Sequence, residues 1–187
     1  MKLPSKIKGW LNPKASPETL LSNYYSTGKS HYLALLVEQF NVSLFHYLLS
    51  LSDKCTAEDA LQSTWLKVMK TKPSAQHTHV KSWLYTIARN TLIDELRRQQ
   101  KWQSQPITED QLMSENLERV FIKDNQLALF NEMLMQLPFH QREAFIFQQE
   151  GFSVLEICHL VDENFETIKS RLRYARNHFK IVLGKEL

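Results

Sequence analysis

Between Thr167 and Lys180 the chain carries five basic residues, Lys169, Arg171, Arg173, Arg176 and Lys180, and no acidic one. On a helix turning about 100° per residue, Ile168, Leu172, Ala175 and Phe179 share one face. Lys169, Arg173, Arg176 and Lys180 form a stripe beside them, and Ser170, Tyr174 and Asn177 point away from the apolar side. Such a helix docks on its own domain through the apolar stripe. It leaves cations for phosphates and polar groups for base edges in a DNA major groove. The plainer reading is an amphipathic helix whose basic face is solvated. Upstream, residues 152–166 read as a shorter helix and a tight turn, so the whole segment has the form of a helix-turn-helix.

Two earlier stretches also carry more than packing. In Ala57-Glu58-Asp59-Ala60-Leu61-Gln62-Ser63-Thr64-Trp65-Leu66, Thr56 is read as the N-cap, with Asp59 three residues on as an approximate capping box. A capped helix with a polar face accounts for that stretch on its own. In the segment 81–98, Trp83, Ile87 and Ala88 make an apolar face, while Tyr85, Arg89, Asn90, Arg97 and Arg98 are left available. Aromatic groups among basic ones suit single-stranded nucleic acid, because every base offers a π-face and every nucleotide a phosphate. A core tryptophan on a helix with charged turns explains the same residues.

Other chemistry finds little support. His77 and His79 with Cys158 and His159 have the residue types for zinc, but the pairs are remote and adjacent residues diverge on a helix, so no metal is expected. Cys158 is read as a small hydrophobe in the first helix of the motif. There is no Ser/His/Asp or Cys/His arrangement at useful spacing and no glycine-rich phosphate loop, the chain having only 4 Gly. Neither an enzyme nor a cofactor is expected.

The elements that position these residues are helical. Leu33, Leu36, Val37, Phe40, Leu44 and Leu48 recur at threes and fours, and Trp65, Leu66, Val68 and Met69 help build a second series. Strand-type alternation is scarce, so the expected fold is all-α: two small helical domains joined by a flexible linker. Residues 1–17, with Pro4, Gly9, Pro13 and Pro17, read as a loose tail, 18–101 as the first domain and 102–124 as an acidic linker. Residues 125–187 form the second domain, whose first helix ends at Leu137-Pro138 because a proline disfavours helix in the residue before it. No apolar run approaches the roughly 18 residues that cross a bilayer, and two distant cysteines fit a reduced, cytoplasmic protein. A net charge of +3 is too small for a global field, so any nucleic-acid contact must come from local clusters.

Four motifs in order give the chain a resemblance to the extracytoplasmic-function sigma factors, the minimal two-domain form of the bacterial sigma-70 superfamily. They are Ala57-Glu58-Asp59 with Gln62 and Trp65; Trp83-Leu84 with Ile87-Ala88-Arg89-Asn90; Leu137-Pro138 with Arg142-Glu143; and Glu156-Ile157 with Thr167-Ile168-Lys169-Ser170-Arg171-Leu172. The resemblance implies a transcription initiation factor whose partners are core RNA polymerase, promoter DNA and an anti-sigma factor. It implies that Asp59, Gln62, Trp65 and Leu66 dock on polymerase. It assigns His77, His79, Lys81, Trp83, Arg89, Asn90, Arg97 and Arg98 to the minus-ten element, with the loop 72–80 capturing an unstacked base. Thr167, Lys169, Ser170, Arg171, Arg173, Tyr174 and Arg176 fall to the minus-thirty-five element. The family's turn usually holds glycine where this chain has Asp162 and Glu166. Asp162 can take a left-handed conformation at some cost, and Glu166 places negative charge beside DNA. The alternative is a stand-alone helix-turn-helix regulator binding operators as a dimer.

Overall fold

In a computed structural model, the described residues, 15–71, 79–102 and 125–184, form eight helices and no strand. The tail up to residue 14, the loop residues 72–78 with His77, and most of the linker lie outside the described residues.

The first block contains α1 (Pro17–Thr27), α2 (Ser30–Leu49), α3 (Lys54–Lys70) and α4 (Val80–Trp102). Ser16 and Pro17, expected at the end of the tail, instead open α1. The Ser16 hydroxyl accepts the Thr19 N–H, and proline suits the first helical turn, where its missing donor is not needed. Gly28 ends α1 in the left-handed region, at φ 68°. On α2 the expected apolar face holds: Leu36, Phe40, Leu44 and Leu48 are buried. On α3 the pattern is split. Val68 is buried, but Leu66 and Met69 are exposed at 51% and 41%, so they do not build the core.

The cap of α3 differs from expectation. Asp53, not Thr56, is the N-cap: its carboxylate accepts the Thr56 N–H at 3.0 Å and the Thr56 hydroxyl at 2.6 Å. Aspartate satisfies the free donors of the first turn as well as threonine does, and it starts the helix three residues earlier. Thr56 is buried inside the helix and also accepts a hydrogen bond from Gln99 near the end of α4, at 2.9 Å. Asp59 therefore lies beyond the first turn.

The second block contains α5 (Asn125–Met135), α6 (Phe139–Gln149), α7 (Val154–Val161) and α8 (Phe165–Gly184). In α6 the consecutive residues Arg142 to Phe147 are all buried, so this helix is packed on several sides. Burial lowers the Arg142 guanidinium to about 10. The far end of α8 is fixed by Phe179, which stacks on Phe130 at 5.5 Å and meets Phe145 at 4.8 Å.

The two blocks also touch each other. Tyr47 and Tyr85 from the first block, with Phe147 and Phe152 from the second, form a cluster of four rings whose neighbouring centroids lie 4.9–6.1 Å apart.

Candidate nucleic-acid interface

The helix-turn-helix is built by α7, a three-residue turn and α8. Ser153 and Glu156 form a reciprocal capping box: the Ser153 hydroxyl accepts the Glu156 N–H, and the Glu156 carboxylate accepts the Ser153 N–H at 2.8 Å. Asp162 ends α7 at φ 57°, ψ 51°, the left-handed conformation that glycine adopts more cheaply. Asn164 then caps α8, its side-chain oxygen accepting the Thr167 N–H at 2.8 Å. Glu166 consequently lies in the first turn of α8, not in the connecting turn, and pairs with Lys169 at 3.4 Å across an exposed surface. The helix begins at Phe165 because Asn164 is the residue able to cap it.

Along α8 the faces separate as the spacing predicts. Ile168, Leu172, Ala175 and Phe179 are buried, while Lys169, Arg173, Tyr174, Arg176, Asn177 and Lys180 are exposed. Thr167, Ser170 and Arg171 are half-buried. Arg171 is held by Glu163 of the turn at 2.5 Å, and Arg176 donates to Gln148 of α6 at 2.8 Å. The Arg173 guanidinium sits 5.4 Å from the Tyr174 ring centroid. A cationic and polar ridge thus rides on a rigid apolar base.

On α3, Asp59, Gln62 and Leu66 share exposure to solvent. Trp65 is half-buried, with its indole N–H donating to Asn41 of α2 at 2.9 Å. That surface is separate from α8 and mixes acid, amide and apolar groups.

The described residues of α4 and of its N-terminal flank that bear on the minus-ten element divide into two sets. His79, Asn90, Arg97 and Arg98 are exposed, and Arg98 pairs with Glu95 at 2.7 Å. Trp83 is only 3% exposed: it belongs to the core, so its ring is not presented to a base. Tyr85 is fully buried and donates to Glu150 of the second block at 2.6 Å. Burial first, and then that carboxylate, raises its phenol well above the ordinary range. Arg89 is engaged as well. Its Nε lies 2.9 Å and its Nη2 3.3 Å from the two oxygens of Glu143, a carboxylate that is itself 1% exposed. Lys81 donates to the Glu150 carbonyl and lies 4.8 Å from the Phe152 ring centroid. Spacing alone left Tyr85 and Arg89 on an available face; contact with the second block removes them from it.

Cys158 is half-buried against the core, in keeping with its reading as a small hydrophobe. Among the described residues no three His, Cys, Asp or Glu side chains gather as a metal site, and no helix is long and apolar enough to cross a membrane.

Comparison with known proteins places this geometry. The sigma-70 region 2 family matches residues 36–102. RNA polymerase sigma factor SigV of Bacillus subtilis is 30% identical over 145 residues, spanning 75% of this chain and 85% of that protein. ECF RNA polymerase sigma factor SigM of the same organism is 27% identical over 155 residues, or 80% and 94% of the two chains. Among solved structures, the sigma factor RpoE in complex with the anti-sigma factor NepR from Bartonella quintana superposes with a TM-score of 0.62. It is 26% identical and covers 81% of this chain and 96% of that one. CnrH in complex with the cytosolic domain of CnrY, at 19% identity, shares the fold with a TM-score of 0.61, covering 90% and 97%. Likeness over such lengths takes in far more than a helix-turn-helix and does not fit a stand-alone operator-binding regulator.

Proposed function

The chain belongs to the extracytoplasmic-function RNA polymerase sigma-factor family, and on that ground we propose that it directs core RNA polymerase to specific promoters and opens their minus-ten region. Residues 18–101 would grip polymerase and the minus-ten element, 102–124 would span the gap, and 125–187 would read the minus-thirty-five element. The exposed Asp59, Gln62 and Leu66 on α3, with the edge of Trp65, suit a protein partner: apolar area for burial and polar groups for register.

On α8, Lys169, Ser170, Arg173 and Tyr174 would face base edges, while Thr167, Arg171 and Arg176 lie nearer phosphates. On α4, Asn90 would hydrogen-bond the opened strand, Lys81, His79 and Arg89 would approach it, and Arg97 and Arg98 would contact duplex phosphates. Trp83 supports that surface from beneath as core packing. Strand opening on this reading is driven by binding energy that offsets a few kcal/mol per unstacked base. No catalytic group or cofactor takes part, and the protein would act in the cytoplasm. RpoE was solved with the anti-sigma factor NepR, and CnrH with the cytosolic domain of CnrY; an anti-sigma factor is proposed for this chain as well.

The observation that carries this reading is the division of α8 into a buried apolar face and an exposed ridge of Lys169, Arg173, Tyr174 and Arg176. Reconstitution with core polymerase tests it. The expected result is co-purification with polymerase and transcripts that start only at promoters bearing both elements. Core polymerase that neither binds the chain nor gains promoter specificity would overturn it.

A further inference from the structure

Helix α1 reaches both the end of α3 and the start of α4. Leu20 and Leu21 are buried and fix α1 on the first block. From that base the Tyr25 hydroxyl proton is shared between two carbonyls: that of Val68 in the last turn of α3, and that of Thr71 just past its end, at 2.6 Å. The last four carbonyls of a helix have few partners of their own, so a donor from outside stabilises that end. Burial first, and Tyr24 in addition, push the Tyr25 phenol up to about 12, which keeps it a donor at neutral pH. At the other end, a Glu18 carboxylate oxygen accepts the Val80 N–H, the first donor of α4, at 3.4 Å. Burial alone would raise the Glu18 carboxyl. Its own N–H, the Val80 N–H, Ser16 and the charge of His79 outweigh burial and hold it below the ordinary range.

Tyr25 and Glu18 are seven residues apart, so they lie on nearly one side of α1, about 10 Å from each other along its axis. Nine residue steps separate Thr71 from Val80, enough to span as much as roughly 30 Å when extended. Chain length therefore does not set the separation of those two ends, whereas two side chains on one rigid helix do. The bonds from Lys67 to Thr91 and from Gln99 to Thr56 tie α3 to α4 further along. We propose that Tyr25 and Glu18 are positioning residues for minus-ten readout. They fix the end of α3 against the start of α4, and so place His79 and the first turn of α4 beside the strand without touching DNA themselves. This rests on the reading of α4 and its N-terminal flank as the minus-ten surface.

Tyr25→Phe keeps the ring and loses the donor, and Glu18→Ala loses the acceptor at an exposed site, so neither opens a cavity in the core. Glu18→Gln keeps a carbonyl oxygen in reach of the Val80 N–H and serves as the conservative variant. Gln99→Ala breaks the bond to Thr56 between α3 and α4 at their opposite ends, and controls for loss of stability. Each full-length chain is bound to core polymerase and selects from duplex promoters randomised at both elements, and the bound DNA is sequenced. Circular dichroism and a polymerase titration accompany each variant.

In Tyr25→Phe and in Glu18→Ala, preference for the best over the second base should fall roughly threefold to tenfold at one or more minus-ten positions, the scale of one lost hydrogen bond. Minus-thirty-five preferences and polymerase affinity should stay as in the parent. Glu18→Gln should retain most of the minus-ten preference, and Gln99→Ala all of it. Unchanged minus-ten preference in either folded variant overturns the positioning role. Equal loosening at both elements, or by Gln99→Ala, reduces the effect to general stability and also overturns it. A parent chain that selects no minus-ten sequence overturns the sigma-factor reading itself, and the positioning role with it.

Discussion

Arg173 and Arg176 lie one turn apart on the exposed ridge of α8, yet the structure gives them different surroundings. Arg176 is tethered to Gln148 of α6, which holds its guanidinium at the edge of the ridge, where a phosphate clamp belongs. Arg173 extends beside Tyr174 in the middle of the exposed face, where base edges are reached. Arg173→Ala should therefore cost about 1–3 kcal/mol, or roughly 5- to 150-fold, and only against the cognate upstream element. A duplex with that element scrambled should show little further loss. Arg176→Ala should weaken cognate and scrambled duplexes alike, and the slope of log affinity against log salt should fall in magnitude by about 0.9. Across a fourfold rise in salt that slope change amounts to about 3.5-fold less weakening than in the parent. Anisotropy titrations of reconstituted holoenzyme on the two duplexes, from about 50 to about 200 mM salt, separate the patterns. Identical behaviour of the two variants, or no effect from either, would refute the division of the ridge into base-reading and phosphate-holding positions.

Asp59→Ala with Gln62→Ala should lower affinity for core polymerase in a binding titration while circular dichroism stays unchanged, because both side chains are exposed and neither belongs to the buried core. Asn90→Ala should slow the appearance of permanganate-reactive thymines on a duplex promoter but spare initial binding. A template mismatched at the minus-ten element should recover most of the defect, since its unpairing cost is already met. Leu172→Ala, at a position 2% exposed under α8, should destabilise the second block by about 2–5 kcal/mol in chemical denaturation. Upstream-element binding should fall with the folded fraction.

The helix-turn-helix was legible in the sequence because its signals are local. Four apolar positions at helical spacing and an absence of acids from Thr167 to Lys180 fix faces and charge without any distant partner. The cap of α3 shows where local signals are degenerate. Asp53 and Thr56 can both accept a helix N–H, and only the actual hydrogen bonds choose Asp53. The availability of Tyr85 and Arg89 was misjudged for another reason: their partners Glu143 and Glu150 lie more than fifty residues away, as the sequence separations of 54 and 65 show. A usable hint was present. Trp83-Leu84-Tyr85 and Phe145-Ile146-Phe147 are consecutive large apolar runs inside helices, and such a run covers too wide an arc for one packing face. Each marks a helix buried on two sides.

Those two runs also indicate which force holds the blocks together and which merely sets their register. Burying Arg89 and Glu143 costs desolvation that their attraction roughly repays, so the pair contributes little net affinity. The four rings of Tyr47, Tyr85, Phe147 and Phe152 bring apolar area and edge-to-face or stacked contacts that need no such repayment. Burial accordingly favours contact between the blocks, while the carboxylates set its register. Tyr47 fits that division: burial first, then the Glu143 charge, keeps its phenol protonated far above neutral pH, so it remains a donor to the carboxylate.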